Sequence, residues 1–330
     1  MTNPAEKRDV RGNTIKPHSV EAESVNTKEA RLTDTETLYA YVPSDYATLK
    51  EAIDELAKIQ RPENTTFRIQ LEDGYAIEEQ VELIGGDYSH IEIGPQHHVL
   101  PVSDNFPDDT DVFRLNRGCT GPRLVIDLDG EGKAKDGFVA NQGSRFLTVG
   151  GGASNMGRFG LHVKRAYAHV ANGVFSGNGD NGINVEGGST AILRGGQTIE
   201  DNGTHGISAV RASQVHLSRD QSGRRMTIQN NTSRGIRATD AATVNAVGAT
   251  VNDNGVFGVE AVSGGILSSR SGDVSGNDAS NDVSVDEGGI VSVYDTSTTQ
   301  STGDQPHEDD VRHRGFDETD GIIFGNFETA

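Results

Sequence analysis

The chain has no tryptophan, a single cysteine, and aromatic residues at only 5% of its 330 positions. A lone Cys119 excludes an intrachain disulfide and a cysteine-ligated metal centre. Without Trp, the broadest flat surface for stacking a sugar ring is missing, which weighs against a sugar-cleaving groove. No apolar run approaches the roughly 20 residues of a membrane-spanning helix, and Met1-Thr2-Asn3-Pro4-Ala5-Glu6-Lys7 lacks a signal-peptide core, so neither membrane insertion nor Sec export is expected. Lysine is scarce too: 8 Lys and 21 Arg face 49 acidic residues, for a net charge of −20. Such a chain repels phosphate backbones, so nucleic acid is not an expected partner. The same balance is typical of proteins from salt-loving organisms, and a halophilic source is one expectation.

What the chain does have is glycine, 41 of them, placed periodically. Gly160-Leu161-His162-Val163 recurs as Gly182-Ile183-Asn184-Val185, Gly206-Ile207-Ser208-Ala209, Gly235-Ile236-Arg237-Ala238 and Gly258-Val259-Glu260-Ala261, then as Asp282-Val283-Ser284-Val285. The spacings are 22, 24, 29, 23 and 24 residues, the signature of stacked structural units. Each phrase alternates with period 2, as a half-buried strand does, and no segment between the Gly, Asn and Asp punctuation is long enough for a solenoid helix. Two further strand registers recur in each unit, around Phe175, Ile199, Ile228, Val251 and Val274, and around Tyr167–Val170, Ala191–Leu193, Val215–Leu217, Val244–Ala246 and Ile266–Leu267. Three short strands per turn of about 23 residues describe a parallel β-helix. Asn155, Asn178, Asn202, Asn231, Asn254 and Asn277 keep the same period and predict a ladder of stacked amides at one corner. The long unit carries extra residues at Arg219-Asp220-Gln221-Ser222-Gly223-Arg224-Arg225, a basic loop and a candidate binding element.

Ahead of the repeats, Thr48-Leu49-Lys50-Glu51 is a capping box, and Leu49, Ala52, Ile53 and Leu56 form one apolar stripe, predicting a short helix that covers the open first coil. Alternating strands follow at Phe67–Leu71, Tyr75–Ile77, Val81–Leu83 and Ile91–Ile93. Asp45–Ile53, then Phe67–Tyr75, then Val81–Leu83, taken with the repeats, resembles pectate-lyase-like right-handed parallel β-helix proteins, most of all those in tail spikes and tail fibres of tailed viruses. The resemblance covers residues 39 to 95 by motif and 140 to 295 by repeat type. It implies an all-β, right-handed parallel β-helix in a homotrimer on the virion, tail or capsid surface, anchored to other virion proteins by its amino-terminal segment and contacting a host glycan or glycoprotein. The expected organisation is a flexible attachment arm at 1–38, the β-helix at 39–295 (helix and first strands 39–95, irregular coils 96–150, regular coils 151–295), and a polar tail at 296–330.

The outward positions of the phrase, His162, Asn184, Ser208, Arg237, Glu260 and Ser284, are the candidate binding face. Arg237 and Glu260 fall on adjacent coils and read as a cross-strand ion pair, with only weak candidacy for catalysis. Glycoside hydrolysis needs two carboxylates roughly 5 to 9.5 Å apart on one groove, and Glu186, Asp240 and Asp286 fall on coils separated by uncharged ones. Asp127, Asp129, Glu131 and Gly132 imitate a calcium loop, but Phe138 stands where the closing Glu is required, so a turn is expected there and no metal or other cofactor. A structural and receptor-binding role is therefore the leading expectation, with a polysaccharide hydrolase or lyase as the alternative.

Overall fold

The computed structural model describes residues 37–59, 65–220, 222–277, 281–298 and 322–329. The phrase strands stack into a nine-stranded parallel sheet, running from Val81–Ile84 through Phe113–Asn116, Phe138–Asn141, Leu161–Lys164 and onward to Asn281–Val285. The remaining strands form a long eighteen-stranded sheet that wraps the other side. Each turn of the chain adds one strand to the former and bends through the latter, so the core is a set of axial files. Phe138, Leu161, Ile183, Ile207, Ile236 and Val259 make one file, Ala168, Ala191, Val215, Val244 and Leu267 another, and Phe175, Ile199, Ile228, Val251 and Val274 a third; all are fully or almost fully buried.

The phrase glycine has a steric cause. A Cβ on Gly206 would stand 2.7 Å from the carbonyl oxygen of Gly235 and 2.5 Å from Ile228 Cγ2, so consecutive coils close only if the position stays bare. The amide ladder is equally literal. Asn178 Nδ2 donates to Asn202 Oδ1 (2.9 Å), Asn202 to Asn231 (2.8 Å), Asn231 to Asn254 (2.8 Å) and Asn254 to Asn277 (2.9 Å). Each of these amides also bonds a main-chain carbonyl of the preceding coil. The series finishes on Asp282, whose Oδ1 accepts from Asn277 Nδ2 at 2.9 Å. Asn155 lies outside the ladder: Met156 occupies the matching position, its N–H donating to Asn178 Oδ1. Asn155 sits one residue earlier, at the left-handed corner (φ 56°) shared by Gly177, Asp201, Asn230, Asp253 and Gly276, and donates to Asp129 Oδ1. The first phrase spacing of 22 against an Asn spacing of 23 carries that one-residue offset.

The helix spans Leu49–Ala57 with Leu49, Ala52, Ile53 and Leu56 buried. Thr48 Oγ1 accepts from Glu51 N–H at 3.1 Å, while the Glu51 carboxylate reaches past Thr48 to the Ala47 N–H at 2.9 Å. Residues 96–150, expected as irregular coils, carry strands in register with both sheets. Two of the four prolines between 95 and 122 sit where the register slips, Pro95 between Ile93 and His98 and Pro122 between Thr120 and Arg123, while Pro101 pairs in register with Asp129. The expected strand at Tyr75–Ile77 reduces to one bridge, Ile77 to Val102. Ile322–Thr329, in the expected tail, pairs parallel with Ile290–Thr298. Residues 1–36 of the expected arm lie outside the described residues, and Thr37 and Leu38 already belong to the first strand.

Candidate functional site

Two outward faces carry charge, and they differ in kind. On the nine-stranded sheet the chain bends at the phrase glycine, so a side chain one residue before it lies beside the one two residues after it. Asp111 and Arg114 pair in this way, and Asn181 Nδ2 donates to Asn184 Oδ1 at 3.3 Å. Asp136 accepts from Arg158 Nε (2.9 Å) and from the Phe159 N–H (3.2 Å). His162 is wedged between carboxylates, with Nδ1 3.4 Å from Asp136 Oδ2 and Nε2 3.1 Å from Glu186 Oε1. Glu186 in turn meets Lys164 Nζ at 3.2 Å and Arg211 at 3.0 Å. Further along, Glu260 lies 3.0 Å from Arg234 Nε and 2.9 Å from Arg237 Nε.

This network is interior in all but direction. His162 and Asn184 are 8% exposed, Ser208 and Glu260 4%, Asp111 and Asp136 1%. Only Arg237, with a third of its side chain exposed, and the half-buried Ser284 offer surface in the expected row. Burial alone would raise Asp136 and Glu186, but the hydrogen bonds from Arg158 and His162 to the first, and from His162 and Lys164 to the second, hold both below the usual carboxylate range. Asp111 moves the other way, raised by burial and by the neighbouring Asp136 charge against the opposing Arg114. His205, 5% exposed, is pushed down to about 3 by burial and by Arg234 and Arg237. Asp136 and Glu186 come together around His162 despite the intervening coil, yet both are ionised and saturated with partners. Glycoside hydrolysis needs one protonated carboxyl, so the network clamps coils together and offers no acid. Sequence reasoning missed Asp111, Asp136 and His205 because they precede the phrase-glycine position, filled by Val112 on the first of these coils, instead of following it.

The face of the long sheet is different. Three of its outward files run Arg145, Tyr167, Thr190, Gln214, Thr243, Ile266; then Leu147, His169, Ile192, His216, Asn245, Ser268; then Val149, Ala171, Arg194, Ser218, Val247, Arg270. None of these eighteen residues is acidic, in a chain with 49 Asp and Glu, whereas Glu200 and Asp273 face outward on the sheet's neighbouring short strands. Arg145, Arg194 and Arg270 are exposed, and Arg145 lies 5.3 Å from the centre of the Tyr167 ring. The loop from Arg219 to Arg225 joins Gln214–Ser218 to Thr227–Gln229, two strands of this same sheet. Arg224 pairs with Asp220 and donates to Asn172 Oδ1 at 3.2 Å, Arg219 donates to the Ser271 carbonyl at 2.8 Å, and Arg225 is exposed. The loop thus lies along the acid-free face, on a different sheet from the expected row. His169 is lowered by burial and then by the Arg194 charge, which keeps the imidazole neutral, and its Nε2 is buried without a hydrogen-bond partner. Counting carboxylates in every strand register, and not in the phrase alone, would have exposed this face in the sequence.

Among the described residues no group of three or more His, Cys, Asp or Glu side chains is arranged to hold a metal ion. Asp129 Oδ1 accepts from the Glu131 N–H at 3.0 Å, closing the turn that imitated a calcium loop.

A family model described as "Right handed beta helix region" matches residues 125–300. Among solved structures, the chain is similar to the A-modules of mannuronan C-5 epimerases AlgE6 and AlgE4 of Azotobacter vinelandii. Identity is 14% and the TM-score 0.49 in both cases, covering 70% and 71% of this chain and 66% and 67% of those. The chain therefore spans just under two thirds of the first module. No curated protein matches it.

Proposed function

Because the chain belongs to the right-handed β-helix family, whose coils present continuous axial faces, we propose that it binds an anionic polysaccharide along the long sheet and acts on it there. The observation that carries this reading is the acid-free, arginine-bearing face on a molecule of net charge −20. It does not rest on the likeness to the two epimerase modules. Arginine presents a planar fork that matches a carboxylate in two bonds, which lysine does not, so uronate chains are the expected class.

His169 supplies the chemistry. Its neutral imidazole sits next to Arg194, which would neutralise a uronate carboxylate and so acidify the adjacent C–H. His169 takes that proton on Nδ1, its Nε2 being buried. The carbanion then either accepts a proton on its opposite face, giving the epimer, or expels the glycosidic oxygen, which leaves with a proton as the C–O bond breaks and a C=C forms. Tyr167, two residues along the same face and thus about 6.8 Å away, is the candidate donor in either case.

The test is incubation with pectate and alginate in deuterated water, following ultraviolet absorbance of unsaturated ends and deuterium at C5. Either signal, lost in His169→Ala while the variant still sediments with the polymer, supports the enzyme. Retention of the polymer with neither signal in the wild type overturns catalysis and favours the second reading, a receptor-binding subunit of a virus particle. That reading draws on the ion-paired network, which stiffens the coils into a rod suited to display. In it, residues 1–38 are the attachment segment and a trimer is the assembly.

A further inference from the structure

Just beyond the amino-terminal end of the acid-free stretch, where the file of His169 and Leu147 continues through Arg123 to Glu92, lies a cavity of about 250 Å³, walled by Arg68, Gln70, Glu92, Pro95, Arg123 and Val149. Glu92 sits on the middle of three neighbouring strands, in register with Arg68 on one side and Arg123 on the other. It is 7% exposed and pairs with both, at 3.3 Å from Arg123. Two guanidiniums against one carboxylate leave the cavity with a net positive charge, and the buried Glu92 fixes the direction in which both forks point. Val149 belongs to the same outward file as Ala171 and Arg194, so the cavity opens onto the proposed polymer track. The regular stacking of the track ends there: the strand Ile91–Pro101 carries extra residues between Ile93 and His98, beginning with Gly94 and Pro95, where its register against Thr120–Asp129 slips.

We propose that this cavity is a terminal subsite that holds one uronic acid residue at the end of a polysaccharide chain. The proposal rests on the reading of the long face as a polyuronate track. The volume is below the roughly 300 Å³ at which pockets begin to take drug-sized ligands, a size that suits a single sugar ring. Its wall offers an apolar side from Val149 and Pro95 to the ring, and Arg68 and Arg123 to the carboxylate. A closed end makes the protein a reader of chain termini, in contrast to a groove open at both ends.

Titration calorimetry with monomeric galacturonic and glucuronic acids, and with glucose as the neutral control, tests it. Millimolar binding of the uronates, absent for glucose and weakened at least tenfold in both Arg123→Gln and Val149→Trp, is the expected result. Val149→Trp fills the cavity while keeping the Glu92 ion pairs, so it separates occupancy from any loss of folding in Arg123→Gln. Failure of either uronate to bind the wild type at the limit of solubility, or binding unchanged in both variants, overturns the subsite. Polymer sedimentation reports on the track alone: a wild type that binds monomeric uronate yet does not retain polymer keeps the cavity site and overturns the track.

Discussion

Single side chains carry much of the stability here because each is repeated one coil away. Asn231 is 1% exposed, accepts from both the side chain and the backbone of Asn202, and donates to Asn254. Replacing it by Ala strands those partners in the interior, at a cost of about 3 kcal/mol; urea denaturation of Asn231→Ala should show the loss without a change in fold by circular dichroism. His205 makes a pH prediction whose sign follows from its depressed value. Its pKa falls from 6.5 in the unfolded chain to about 3 in the folded one, so the unfolded state binds the proton first. The stability it contributes is complete above 6.5 and drains away as pH falls towards 3, with a limiting slope of about 1.4 kcal/mol per pH unit. His205→Gln should flatten the stability profile between those limits. Asp136 and Glu186, held low, lose their contributions only further down, below their ordinary values of 3.8 and 4.5, and Asp111, held high, runs in the opposite sense.

At the level of the strand and its turn, the bare phrase position is the tightest constraint. Gly206→Ala places a methyl against the Gly235 carbonyl and Ile228, and an overpacked site of this kind costs about 2 kcal/mol. A lowered thermal midpoint for Gly206→Ala, with the fold retained by circular dichroism, would check the argument. The repeat was legible in the sequence because this steric rule imposes glycine on six successive coils, from Gly137 to Gly258, and the helix because its cap and apolar stripe are local. The ionic network was not legible. Asp136, His162 and Glu186 belong to three successive coils, and only the bend at glycine brings the residue before it into line with the residue after it. Asn155 was misplaced by one residue for a related reason: Asn suits both the ladder and the left-handed corner next to it, and composition cannot separate two adjacent roles. The acid-free face went unread because it consists of what three registers omit.

On the scale of the whole molecule, coils pack on their neighbours, apart from the Arg219–Arg225 loop that reaches two coils away to Asn172 and Ser271, so stability is close to a sum over units. Deleting residues 183–206, one full coil that carries the ladder asparagine Asn202, should leave a folded protein whose longest dimension in small-angle scattering is shorter by about 4.8 Å; collapse into a non-native aggregate would contradict the additive picture. The same logic bears on Asp282. An asparagine both accepts from the coil before and donates to the coil after, whereas a carboxylate only accepts, and Asp282 also stands where the six coils before it, from Gly137 to Gly258, keep glycine to admit a successor. It therefore acts as a stop codon written in side chains, and a gene that gains or loses internal repeats can change the length of the rod while its terminator stays the same.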